Sequence, residues 1–264
     1  MHRLTIHPWF LTFGSALLMN SAVYAEEEPI ATDRPDFVES SDVVGRGRMQ
    51  IETGINLERN SESGVDDRTY TTPTLVRAGL NDHWELRMET DGRTVQSMTE
   101  NGTTSTSHGY SDIALGVKWH FTDAKGNAPS TAWLFHVDLD TGSSQFRGVG
   151  KRPSLRFVAE WDLPGDTSFG VMPGVVYDQN DQHRFVSGIL AATYGKQFTP
   201  KFRGFVELAG QQLANQSDGG NVVTADAGMT YLISKSMQLD MSISRGLTTD
   251  TADWSGGVGF SIKF

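Results

Sequence analysis

The chain has 264 residues, no cysteine, 28 glycines and a formal net charge of -10. The lack of cysteine excludes a disulfide scaffold, a Cys-ligated metal domain and a thiol enzyme. No stretch beyond the N-terminus reaches the roughly 18 consecutive apolar residues of a spanning helix, and the acidic balance without clustered Lys and Arg argues against nucleic-acid binding.

The start reads as an export signal. Met1-His2-Arg3 is basic, residues 9–19 are apolar, and small residues lead to Val23-Tyr24-Ala25, a pattern that predicts a secretory signal peptide over residues 1–25. Residues 26–47 hold Pro29, Arg34 and Pro35 and lack alternation, so they are expected to be a periplasmic N-terminal segment or a plug. Asp33 and Arg34 are the candidates for plug contact with the lumen wall, although a charged pair beside a rigid proline is also ordinary turn chemistry.

From residue 48 onward the chain alternates at period two in segments of about ten residues, the signature of a transmembrane β-barrel. Met49, Ile51, Thr53, Ile55 and Leu57 share one face, with Gln50, Glu52, Gly54, Asn56 and Glu58 on the other. Trp84, Leu86 and Met88 continue the pattern against Glu85, Arg87 and Glu89, as do Ile113, Leu115, Val117, Trp119 and Phe121 against Asp112, Lys118 and His120. Segments near 185–198 and 201–214 are less clean, and alternation returns from Val223 to Phe264. The expected fold is all-β, an antiparallel transmembrane barrel of about twelve strands over residues 48–264. A soluble sandwich also alternates, but twelve such strands would make an unusually large one.

Connections are expected to alternate in length, as two unlike rims require. Short periplasmic turns are read near 81–82, 164–166, 199–200 and 234–236, with 122–129 somewhat longer. Longer external loops are read at 60–68, 97–107, 140–152, 178–184, 215–221 and 248–253, with 97–107 the most mobile in composition. Trp84, Trp119, Trp133 and Trp161 gather at the periplasmic rim and Trp254 at the outer rim, as interfacial indoles do.

Charges fall on the face opposite the apolar one. Glu52, Arg77, Glu85, Arg87, Glu89, Asp112, Lys118, Asp138, Arg156, Glu160, Asp162, Asp226 and Asp240 therefore face the lumen by phase. One reading is a structural ladder of ion pairs, since buried charges must be paired. The other is a filter in which Arg77, Arg87, Lys118 and Arg156 oppose Glu85, Glu89, Asp112 and Glu160 and orient a polar solute. His136 beside Asp138, followed by Ser143-Ser144, is the one constellation that suggests a hydrolase, though its spacing is not diagnostic. His83, His120 and His183 show no metal-ligand spacing, and no glycine-rich phosphate loop is present, so no metal and no cofactor are expected.

Several motifs together resemble one family of bacterial outer-membrane proteins. They are Thr32-Asp33-Arg34-Pro35-Asp36 followed by Glu39-Ser40, the Gln50, Glu52, Gly54 spacing, residues 72–80 leading into Glu85-Leu86-Arg87, and residues 112–119 with Gly116 and Lys118. Thr141-Gly142, Pro153-Ser154-Leu155-Arg156 and Trp161-Asp162-Leu163-Pro164 extend the match, while Asp140 stands where a proline is expected. The chain resembles the transporters grouped under the MetA pathway of phenol degradation. That resemblance implies an outer-membrane barrel passing small, often aromatic or hydrocarbon, compounds, without fixing phenol as the substrate. The terminal Phe264 also looks like the signal read by the barrel-assembly machinery. Expected partners are thus outer-membrane lipid, that machinery and a small-molecule solute. The leading expectation is a channel or facilitated-diffusion transporter, the alternatives a closed barrel of structural or surface-interaction role and an outer-membrane hydrolase.

Overall fold

Residues 28–264 are described here from a computed structural model; the expected signal peptide lies outside them. Period-two alternation produces strands throughout: β1 (Met49–Glu62), β2 (Val65–Thr71), β3 (Thr74–Gly79), β4 (Trp84–Thr90), β5 (Arg93–Glu100), β6 (Thr103–Tyr110), β7 (Ile113–Thr122) and β8 (Ser130–Leu139). They are followed by β9 (Arg152–Leu163), β10 (Thr167–Gln179), β11 (Arg184–Thr199), β12 (Phe202–Leu213), β13 (Asn221–Ser234), β14 (Met237–Gly246) and β15 (Trp254–Lys263). All pair antiparallel in one sheet, and β1 closes it against β15 from Gln50↔Lys263 to Arg59↔Trp254. Closure leaves no edge in the wall, the condition for strands to cross a bilayer.

Three crossings are each built from two strands, β2 with β3, β4 with β5, and β6 with β7, so the barrel has twelve crossings. The interruptions lie side by side. Pro73 offers no N–H to the ladder, and its carbonyl instead accepts from Gly54 N at 3.0 Å. Gly92 takes φ +66° beside it, and the Thr94 and Ser111 hydroxyls meet at 2.8 Å across the next gap. Outside this line β1, β2, β5 and β6 continue as a four-stranded extension.

That extension corrects two expected loops. Residues 60–68 and 97–107 are mostly strand, joined by the two-residue turns Ser63-Gly64 and Asn101-Gly102. Both turns have positive φ at both positions, +52° and +85° in one and +48° and +79° in the other. Such a turn matches the twist of its flanking strands and favours Asn-Gly. Threonine, a good strand former, carries the Thr/Ser-rich arms that composition alone marks as mobile. The short connections at 80–83, 164–166, 200–201 and 235–236 lie at the opposite rim.

The outward face is the apolar one. Ile55, Leu86, Leu115, Phe135, Val175, Leu190, Val206, Met241 and Val258 are exposed around the wall, as a lipid-facing band requires. Trp84 and Trp119 stack with centroids 5.3 Å apart, Trp133 leans on Phe157 at 4.8 Å and Trp161 on Phe169 at 6.0 Å, so the four indoles form one aromatic arc at the short-turn rim. The molecule is a closed antiparallel β-barrel with a lipid-facing outer wall.

Candidate functional site

A segment inside the barrel organises the lumen. Ile30 N donates to the Lys235 carbonyl at the short-turn rim at 2.7 Å, and the chain then runs inward to a tip at Arg34–Phe37. It returns along β9 and β4, where Ser41 N donates to Glu160 at 2.5 Å and Val44 N to Glu85 at 3.0 Å. An extended segment without a ladder has unsatisfied backbone donors, which cannot stay unpaired in a buried site. Wall glutamates satisfy them. Glu52 accepts from Asp33 N at 3.0 Å and Arg34 N at 2.9 Å, and Glu207 accepts from Phe37 N at 2.7 Å and Val38 N at 2.8 Å.

The segment's own carboxylates answer the wall's cations. Asp33 receives Arg87 at 2.5 Å, Lys118 at 2.9 Å and Arg77 at 3.5 Å. Glu39 receives Arg156 at 2.6 Å and Arg87 at 2.7 Å, and Asp36 receives Arg203 at 2.7 Å. Arg34 reaches across to Asp240 on β14 at 3.1 Å. Arg77 also binds Glu85 at 2.9 Å and Glu52 at 3.1 Å, and Arg87 binds Glu89 at 2.7 Å. Charge on each surface is thus matched by charge on the other.

An apolar contact completes the docking. Val38 packs with Ala132, Leu134, Val158, Met172, Ile189, Ala191 and Ala209, all facing inward from β8 to β12, with Phe37 beside them. Both faces of these strands are apolar, one toward lipid and one toward Val38, which is why alternation fades near 185–214. The same region hides two inward charges that phase reasoning missed, Arg203 and Glu207; Asp36 and Glu39 lie in a segment with no phase to read.

The sequence candidates fall into two groups. Arg77, Glu85, Arg87, Glu89, Lys118, Arg156 and Glu160 come together around the segment that carries Asp33 and Arg34. Asp112 stands apart at the outer rim, accepting from Gly142 N and Gly148 N at 2.8 Å and from Arg152 at 3.0 Å, and so ties the loop at 140–151 to the wall. Burial alone would raise the Asp112 pKa, but the two backbone N–H groups and Arg152 hold it below the usual carboxylate range. His136 is buried against Glu89 and Arg87 at 3.1 Å, whereas Ser143 exchanges hydrogen bonds with the Tyr110 backbone. The hydrolase constellation is therefore not assembled. Glu39, Glu89 and His136 come close enough to share an ion, but Arg87 and Arg156 already neutralise both carboxylates.

Open space remains on both sides of the segment. An outer chamber of about 520 Å³ is bounded by Asn56, Ser242, Ser244, Ser255 and Gly257 from β1, β14 and β15. An inner chamber of about 400 Å³ is bounded by Ser168, Thr193, Gln197, Arg203, Thr230 and Gln238. Arg34 and Asp36 border both chambers.

Residues 32–264 match the family described as "Putative MetA-pathway of phenol degradation". No curated protein matches the chain. Among solved structures, an outer membrane channel from Pseudomonas putida F1 is similar with a TM-score of 0.62 at 11% identity, covering 85% of this chain and 98% of that one. The beta domain of the Bordetella autotransporter Brka gives 0.54 at 12% identity, with 82% and 99% covered, and KdgM porin gives 0.52 at 13%, with 81% and 99% covered. At these identities the likeness is one of fold, and that fold serves a channel, a porin and an autotransporter alike.

Proposed function

Because the chain belongs to the family named for the MetA pathway of phenol degradation, we propose that it is a passive outer-membrane channel for small solutes, with a lumen narrowed by the N-terminal segment. The observation that carries this reading is the pair of chambers, about 520 and 400 Å³, separated by the segment's tip. A purely structural barrel can fill its interior with side chains, as those of about eight strands do. Here the inward face of β14 and β15 above Asp240 instead carries Ser242, Ser244, Ser255 and Gly257, which leave room along one wall. Beyond β1, the inward faces of β3, β4 and β7 instead carry the ion pairs of Arg77, Arg87 and Lys118.

The segment is a fixed part of the pore and not a detachable stopper, since backbone hydrogen bonds, ion pairs and the Val38 contact all hold it. Solute passes beside it. The lining favours small polar or amphipathic molecules, with Phe37, Phe146 and Pro73 as the apolar surface of the outer chamber. The family association with aromatic compounds is compatible with that lining. No enzymatic step is assigned, because His136 is engaged by Glu89 and Arg87.

Planar-bilayer recording of the refolded protein tests the reading, with liposome uptake of small neutral aromatics alongside. Discrete conductance is expected. A protein that neither conducts nor admits solutes would leave a closed barrel of structural role.

A further inference from the structure

We propose that Arg34 and Asp36 determine the charge selectivity of this pore, and that the Asp36–Arg203 pair is the side of the constriction that yields to solute. The proposal rests on the channel reading above and goes on to name the residues that set what passes. Both residues border the chambers above and below, so a solute moving between those chambers meets their side chains. They carry opposite charge and pair with wall strands that flank β13, Arg34 with Asp240 on β14 and Asp36 with Arg203 on β12.

The two pairs are held differently. Arg34 lies in a cradle of bare backbone: a Cβ on Gly54 would stand 2.7 Å from its Nη2, and one on Gly259 would stand 2.6 Å from its Nε. Its backbone N–H is also bound by Glu52. Asp240 is fully buried beneath it, so this pair forms a fixed wall. Arg203 is 27% exposed, its guanidinium rests over the Phe205 ring at 5.4 Å, and it borders a further pocket of about 510 Å³ with Asp162, Ser168 and Gln197. It has room to withdraw toward the short-turn mouth, taking a route lined by another carboxylate. The aperture thus opens between a fixed Arg34–Asp240 wall and a movable Asp36–Arg203 pair.

The two halves of one ion pair supply the test. Asp36→Asn and Arg203→Gln each break the same bridge, so a merely structural role would loosen the segment alike and shift selectivity alike. Selectivity set by local charge demands opposite shifts. Under a KCl gradient, Asp36→Asn is expected to move the reversal potential toward anion preference and Arg203→Gln toward cation preference, both with raised unit conductance. Since the chain has no cysteine, Asp36→Cys gives a second measurement on channels already folded and inserted. Cationic and anionic methanethiosulfonate reagents, applied to separate channels, are expected to lower conductance and to displace the reversal potential in opposite senses. Conducting channels whose two charge variants shift in the same sense or not at all, or Asp36→Cys channels that ignore both reagents, overturn the proposal while leaving the channel reading in place. A silent wild-type protein overturns the channel reading itself, and the selectivity proposal with it.

Discussion

The guanidinium of Arg87 on β4 stands 2.5 Å from the carboxylate of Asp33 in the N-terminal segment, and both side chains are almost wholly buried. The same guanidinium meets Glu85 at 3.0 Å, Glu89 at 2.7 Å and Glu39 at 2.7 Å. One cation thus joins two carboxylates of the wall to two of the segment. Desolvating so many charges is costly, and the arrangement is stable because each group has a partner at hydrogen-bond distance.

Removing Arg87 should therefore damage the whole inner assembly. Arg87→Ala leaves Asp33, Glu39, Glu85 and Glu89 with a deficit of positive charge, and breaking a buried pair in this way costs about 3–5 kcal/mol. The expected outcome is a barrel that unfolds at clearly lower temperature and whose segment becomes open to added protease. Gel-shift heat modifiability and limited proteolysis read the two effects. An Arg87→Ala protein with wild-type unfolding temperature and a protected segment would show that the network contributes little.

The apolar half of the docking can be probed separately. Val38 is 4% exposed and packs among Ala132, Leu134, Val158 and Met172. Val38→Ala removes two methyl groups from that contact and leaves a small void, costing about 2 kcal/mol by transfer and cavity terms together. The loss should appear in a urea titration of the detergent-solubilised barrel. Fold and ion pairs should persist, because Asp33 and Glu39 anchor the segment from the other side.

The outward and inward faces were legible in the sequence wherever one face is apolar and the other charged. On β4, Leu86 and Met88 point to lipid while Glu85 and Arg87 point inward, as alternation requires. On β11 and β12 the rule loses contrast, because Ile189, Ala191 and Ala209 face an apolar patch inside the lumen. Arg203 and Glu207 were hidden there. The partners of the wall glutamates were beyond reach for another reason: Glu207 binds the backbone of Phe37 and Val38, about 170 residues away, and no side-chain pattern encodes a backbone acceptor. Asn101-Gly102, by contrast, was a readable hairpin signal, masked by its Thr/Ser-rich surroundings.

The outer loop at 140–151 should respond to acid. Burial would raise the Asp112 pKa, but the N–H groups of Gly148 and Gly142 and the Arg152 guanidinium lower it below that of the free side chain. A carboxyl whose folded pKa is depressed contributes stability above its unfolded value, about 3.9, and loses that contribution as pH falls through the folded one. The loop should stay anchored at neutral pH and release only in strong acid, below about pH 4. Hydrogen exchange at Gly142 and Gly148 across pH, corrected for intrinsic rates, measures the release. Asp112→Asn should show weakened protection already at neutral pH, since it removes the charge that faces Arg152.

The constriction can also be altered from the wall, without touching either charge. A side chain at Gly259 would place its Cβ 2.5 Å from Asp240 Oδ2 and 2.6 Å from Arg34 Nε, closer than real Cβ contacts come. Gly259→Val must therefore expel Arg34 from its cradle into the open space that it borders together with Asp36. Unit conductance should fall, because the guanidinium then stands in the path as a positive barrier, and the remaining current should shift toward anions. The neighbouring change Val258→Leu lies on the lipid face, where Val258 is 57% exposed, and should leave both quantities as they are. Equal conductance in the two variants would mean that Arg34 does not stand in the solute path.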